Sequence, residues 1–205
     1  MKVAIIGAGN VGKALGTSIS NVGHEVTFSA ASPESARAAA REIGAQAAAD
    51  NVDAVRGADL VVLAVPYAGA GQVADEIAGA AAGRVVIDVT NPIKPDYSGL
   101  VTDGTSGAEE LQRRLPDTKV VKAFNTVFAT NQANPSPEID GFVAGDDPKA
   151  KQQVIGLVEA MGFTPVDVGS LAQARHLEGM ALVNIGLNAA NGWSWSSAWR
   201  LENKG

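Results

Sequence analysis

Residues 3–12 read VAIIGAGNVG, and no other run limits the fold as tightly. Val3–Ile6 is short, apolar and rich in β-branched residues, as a strand buried on both faces should be. Gly7–Gly12 fits G-x-G-x-x-G and leads into KALGTSISNVG, where Val11, Leu15 and Ile19 fall on one helical face. A buried strand that passes through glycines straight into a helix is the first turn of a doubly wound α/β sheet. Gly7 permits the tight turn, Gly9 lets the backbone approach a pyrophosphate, and Gly12 lets helix and strand pack closely. The N–H groups of Asn10, Val11 and Gly12 would face phosphate oxygens, and Ala8 lies in the same loop.

The rest of the chain keeps this alternation. HEVTFS predicts a second strand. Ser32, Pro33 and Glu34 open a helix as cap, first residue and first-turn acid, and an Ala-rich run carries it to Ile43. DLVVLAVP, RVVIDVTNP, KVVKAFNTV, GFVAG and TPVDVG predict further strands. GQVADEIAGAAAG, AEELQRRLP and DDPKAKQQVIGLVEAMG predict helices between them, and a last helix runs from about Leu171 to Ala190. The segment ATNQANPSPEID, with scattered Pro and Asn, reads as loop, as does the polar stretch after Ile93. The expected fold is α/β: a Rossmann-type doubly wound, mostly parallel sheet with a small C-terminal helical cap. Residues 1–170 form the dinucleotide-binding domain. Residues 171–205, a helix and a Trp-rich tail, belong to the same unit.

Composition removes several function classes. A net charge of -6 argues against nucleic acid and anionic membranes as partners. The absence of cysteine excludes disulfides, thiolate metal sites and a Cys nucleophile, and two histidines make a His-rich metal site unlikely to arise. No run is long and apolar enough to span a bilayer, and MKVAIIGAG is not a signal peptide. The expectation is a cytoplasmic protein without a metal.

The end of the second strand narrows the cofactor. NAD enzymes place a carboxylate there to bind the ribose hydroxyls. This chain has Ser29, Ala30, Ala31, Ser32 and Pro33 instead. Two hydroxyls and a helix N-terminus suit a 2′-phosphate, so NADP(H) is expected over NAD(H). No Arg lies in the loop; Arg37 is a turn further on.

Five blocks carry a resemblance: AVPY (Ala64–Tyr67), DVTNP (Asp88–Pro92), VVKAFNTV (Val120–Val127), VAGDD (Val143–Asp147) and GFTPVDVGSLAQARHLE (Gly162–Glu178). Together they resemble the NADP oxidoreductases dependent on coenzyme F420 and, more distantly, the NADPH-binding domain of the STEAP metalloreductases. The resemblance implies hydride exchange between the nicotinamide C4 and the C5 of a deazaflavin, often in a homodimer. It implies that Gly7–Gly12 hold the pyrophosphate and that Ser29 and Ser32 lie by the 2′-phosphate. Val65, Pro66 and Tyr67 would border the cofactor. Asn91, Pro92, Phe124, Asn125 and Thr126 would line the nicotinamide end. The archaeal members have a Ser-Arg pair after the second strand, which this chain lacks.

No acid–base pair stands out. His24 sits in a turn far from the strand ends, and His176 on the last helix suits solvent or a subunit contact. Asp146 and Asp147 read as caps before Pro148. Positioning by Pro66, Asn91, Pro92 and Asn125 suits hydride transfer between two planar rings, since the cofactors carry the reactivity. Trp193, Trp195 and Trp199 suit a subunit interface, with a stacking platform for the acceptor as the sharper alternative. Other open readings are an NADPH-dependent reductase of a flavin, ferric chelate, quinone or small imine, and a dinucleotide-sensing module without turnover.

Overall fold

The structure, a computed structural model, describes residues 1–202. Eight strands follow in chain order: β1 (Lys2–Ile6), β2 (Glu25–Ser29), β3 (Gln46–Ala47), β4 (Leu60–Leu63), β5 (Val85–Asp88), β6 (Lys119–Ala123), β7 (Asp140–Gly145) and β8 (Thr164–Asp167). They join in one sheet, ordered β3-β2-β1-β4-β5-β6-β7-β8. Neighbours run parallel except β6 and β7, which pair antiparallel through Val121↔Gly145 and Ala123↔Val143. The helices are α1 (Asn10–Asn21), α2 (Pro33–Ile43), α3 (Asn51–Arg56), α4 (Tyr67–Ala81), α5 (Gly107–Arg114), α6 (Ala129–Ala133), α7 (Pro148–Met161) and α8 (Ala174–Asn191). This is the Rossmann-type, mostly parallel sheet that the alternation predicts.

The period-2 alternation of the strands splits the core in two. Val3, Ile5, Leu60, Val62 and Val121 face Leu15 and Ile19 of α1 and Val154 of α7. Ala4, Ile6, Val61, Leu63 and Val120 face α3, α4 and α5 on the other side. Apolar residues on both faces of each strand are what a sheet sandwiched between helices requires.

Local signals act where the sequence places them. Ser32 Oγ accepts from Ser35 N at the start of α2. Asp147 Oδ1 accepts from Lys149 N and Ala150 N at the start of α7, and Asp146 Oδ1 accepts from Leu171 N. Three departures are instructive. Residues 129–133, read as loop, form α6, because the Gln132 side chain donates to Phe124 O and Val127 O and so supplies a local hold that propensity does not show. The pair β3 and α3 escapes a pattern reading because β3 has two exposed residues and α3 only six in all. β5 and β6 end at Asp88 and Ala123, so DVTNP and FNTV leave the sheet and form its carboxyl rim.

The first turn is set by contact. A Cβ on Gly7, at φ 121°, would lie 2.2 Å from Ala64 O, and one on Gly12 would lie 1.9 Å from Gly7 O. Gly12→Ala is expected to destabilise the chain by about 2 kcal/mol or more, because backbone must shift to admit the methyl. Urea unfolding checks this, and an unchanged midpoint would contradict the packing described.

Candidate functional site

The strand order reverses between β1 and β4, and in open α/β sheets ligands bind outside the carboxyl ends at that point. The Gly7–Gly12 loop lies there. Gly7 N donates to Ser29 O at 2.9 Å, which ties the loop to β2. The first helical bond of α1 runs from Lys13 N to Gly9 O, and α1 has no side-chain cap. The N–H groups of Asn10, Val11 and Gly12 are therefore left to an outside acceptor. Gly9 differs from Gly7 and Gly12: a Cβ there meets nothing within 4 Å. The protein's own packing does not need that glycine, whereas a ligand lying against the backbone would.

On one side of the loop a cavity of about 520 Å³ is lined by Ile6, Ala31, Pro33, Asn51, Val65 and Pro66, among others. Ser32 stands at its edge as the cap of α2. Ser29 does not: it is 1 % exposed and its Oγ is enclosed without a partner. Its contribution to the site is the carbonyl that holds Gly7. No Lys or Arg lines this cavity, and Arg37 is ion-paired with Glu34 at 2.8 Å. Two acidic residues line it. Asp50 caps α3 through Asp53 N, and Glu76 accepts from Asn51 Nδ2.

Tyr67 departs from the expected placement. Val65 and Pro66 line the cleft, but the Tyr67 hydroxyl donates to Glu110 of α5, and the ring borders a separate cavity with Gly107 and Arg114. Burial and the Glu110 carboxylate push the phenol pKa well up, so it stays protonated.

On the other side of the loop, Val11, Asn91, Phe124, Asn125 and Thr126 line a cavity of about 170 Å³. Asn125 Nδ2 donates to Asn91 Oδ1 at 2.9 Å, and Asn91 Nδ2 donates to Asn125 O at 3.0 Å. This reciprocal pair locks the rims of β5 and β6 together. Phe124 is buried with φ 62°, a left-handed backbone unusual for a bulky residue, and such strain tends to sit at functional sites. Asn125 Oδ1 and Thr126 Oγ1 are buried without a partner among the described residues. Pro92, expected in the lining, is buried and holds the following excursion instead, its carbonyl accepting from Val101 N. The sequence reading missed the opposite wall: Phe128 and Gln132 around α6, and Ala181, Asn184 and Ile185 of α8. Its one signal was Gln132 and Asn131, polar residues that turn out buried in a segment read as loop.

It also missed a buried charge cluster. The register pairs Asp88 with Lys122 on neighbouring strands. Lys122 Nζ donates to Asp88 Oδ2 at 2.9 Å, to Thr90 O at 2.6 Å and to Glu178 Oε1 of α8 at 2.9 Å. Glu178 also accepts from Gly107 N at the start of α5. All three side chains are at most 1 % exposed. Burial pushes the Glu178 carboxyl up, against the pull of Lys122, and Asp88 adds to the rise. A Lys and an Asp inside otherwise apolar strands were the legible sign. His24 lies at the far edge against the Met1 ammonium, and His176 is exposed.

Removing one partner of a buried pair leaves an uncompensated charge, so Lys122→Met should cost about 3–5 kcal/mol. Glu178 gives a pH signature. Its folded pKa is raised, so the folded state holds the extra proton and stability falls as pH rises from the ordinary carboxylate range through the raised value. Glu178→Gln should flatten that part of the profile, as read from urea midpoints between pH 4 and 8.

Comparison with known proteins agrees with this geometry. The family described as NADP oxidoreductase coenzyme F420-dependent matches residues 2–92. The F420-dependent NADP reductase of Methanothermobacter thermautotrophicus is 30% identical over 211 residues, covering 93% of this chain and 90% of that protein. Metalloreductase STEAP3 of Rattus norvegicus is 33% identical over 88% of this chain, but this chain spans only 36% of its length. A crystal structure from Arthrobacter sp. FB24, provisionally assigned as an F420-dependent NADP-reductase, superposes with TM-score 0.88 at 28% identity, covering 99% of this chain and all of that one. The glycine turn, the fold and the near full-length relative converge: this chain belongs to the family of coenzyme F420-dependent NADP oxidoreductases.

Proposed function

We propose that the chain exchanges hydride between NADP(H) and a deazaflavin of the coenzyme F420 type. The carrying observation is the 170 Å³ cavity, whose lining residues include no ionisable side chain. A carbonyl or imine reductase needs a proton donor in place. Hydride transfer between two rings needs them held face to face at near-contact distance. The nearest ionisable cluster, Lys122 with Asp88 and Glu178, is buried and internally paired.

In this reading the Gly7–Gly12 loop holds the pyrophosphate: Gly7, Ala8 and Gly9 shape it, and the N–H groups of Asn10, Val11 and Gly12 donate. Ser32 and the start of α2 receive the 2′-phosphate, with Ser29 acting through its carbonyl. Val65 and Pro66 flank the adenosine half. Asn125 and Thr126 line the nicotinamide end, and Asn91 and Phe124 fix their position. The bound dinucleotide supplies the hydride at its nicotinamide C4. The chain's part is to orient that ring and to exclude water. Residues 171–205, of which 203–205 lie outside the described residues, act as a cap on the domain formed by residues 1–170. Val183 and Leu187, exposed on one face of α8, support pairing of two copies. The STEAP3 likeness favours a second reading in which the acceptor is a ferric chelate or a flavin.

Mixing the protein with NADPH and oxidised F420 should bleach the deazaflavin's visible absorbance, and NADH should do so more slowly. No bleaching, with ferric chelate reduced instead, would move the assignment to the second reading. Gly9→Val provides the binding test. Because space is open at Gly9, the variant should keep its stability within about 1 kcal/mol yet lose NADPH binding. Unchanged NADPH affinity by calorimetry would remove the site assignment.

A further inference from the structure

The chain after α8 folds back over the acceptor side of the site. Gly192, in a left-handed conformation, reverses its direction. Asn131 Nδ2 of α6 donates to Ser196 O at 2.9 Å, and Ser197 Oγ donates to Asn184 Oδ1 at 2.6 Å. Asn188 Nδ2 donates to the same Ser197 hydroxyl. Asn184 lines the 170 Å³ cavity, so the tail is latched to a helix that walls it. Beyond the latch, Trp199 packs near Phe142, Ala144 and Leu177, and Asp140 N donates to its carbonyl at 3.0 Å. Trp199 anchors the tail.

Trp195 is held differently. It has φ 56°, a left-handed backbone, immediately before the latched serines. Its ring meets Phe128 edge to face, with centroids 5.6 Å apart and planes at 86°. Phe128 is itself a wall of the cavity. Yet Trp195 remains 46 % exposed. A core indole would be covered, and a free surface residue would not need an inverted backbone fixed by three asparagines. An aromatic face kept open beside a cavity without charges is suited to a flat partner.

We propose that Trp195, braced by Phe128, is the stacking platform for the planar heteroaromatic ring of the hydride acceptor. This rests on the proposed function, which says that such a ring is the acceptor, and adds where the chain holds it. The platform selects flat, extended rings over small imines or chelated metal ions, and it does so beside the Phe128 wall of the cavity. Trp195 is a binding residue here and takes no part in proton or electron transfer.

The test compares Trp195→Leu, which keeps an apolar contact with Phe128, with Trp195→Phe, which keeps an aromatic face. Trp195→Leu should raise the KM for oxidised F420 about tenfold, and Trp195→Phe only a few-fold, with the NADPH Kd unchanged in both. Circular dichroism and gel-filtration elution verify that each variant is folded. An unchanged KM in folded Trp195→Leu overturns the proposal. So does an altered oligomeric state with unchanged KM, which would assign the tail to a subunit contact. If F420 is not reduced at all, the function reading falls separately, and binding of F420 and of FMN is then read from the anisotropy of their own fluorescence. Saturable binding weakened in Trp195→Leu supports the platform, and binding that is absent or equal in both variants overturns it.

Discussion

One ammonium group, Lys122 Nζ, ties together a neighbouring strand, the carboxyl rim and the last helix. It bonds Asp88 on the neighbouring strand, the Thr90 carbonyl on the rim and Glu178 on the last helix. Glu178 passes the connection on to the first N–H of α5. A buried ion cluster adds little net stability over a well-packed apolar one, but it tolerates few alternative arrangements. Hydrophobic contact could let α8 slide on the sheet by a turn, whereas a carboxylate shared between an ammonium and a helix N-terminus could not. Asn91 on the rim directly follows the Asp88–Thr90 attachment. Its position therefore depends on charges that never face the cleft.

The cleft itself divides by chemistry. The side at α2 has a helix N-terminus capped by Ser32, the carboxylates of Asp50 and Glu76 and, among the described residues, no cation. The side at α8 has amides, aliphatic groups and two aromatic rings, with no titratable group among its lining residues. The glycine turn between them is constrained from behind at Gly7 and Gly12 and open in front at Gly9. In the proposed function, such an arrangement separates the groups that hold a dinucleotide from those that place its reactive end.

Much of this was readable from the chain. The strand-turn-helix at residues 3–23, the caps at Ser32 and Asp147 and the rim blocks around Asn91 and Asn125 are local signals, each with a local physical cause. Ser29, Tyr67 and Pro92 were assigned by position along the chain, and position does not tell which way a side chain turns. Ser29 turned inward, Tyr67 turned toward Glu110, and Pro92 went under the excursion it supports. The α8 wall and the Lys122 cluster depend on contacts between residues more than thirty positions apart, and one sequence holds no direct trace of such pairs. Only the oddity of a charge within an apolar strand marked Lys122 and Asp88.

The inverted strand β7 has a consequence for how such a chain can diversify. Because β7 runs against β6, and β8 follows β7, the polypeptide leaves the sheet at the edge opposite the cleft. Its last helix, 18 residues and so about 27 Å long, must then climb the full height of the sheet. Its middle turns deliver Ala181, Asn184 and Ile185 to the cavity. The segment that shapes one half of the cleft thus follows the whole sheet in sequence, far along the chain from the glycine turn. Changes in that terminal segment can alter what is accepted at one end of the cleft while the glycine turn at the other end, set by the opening residues, is left as it was.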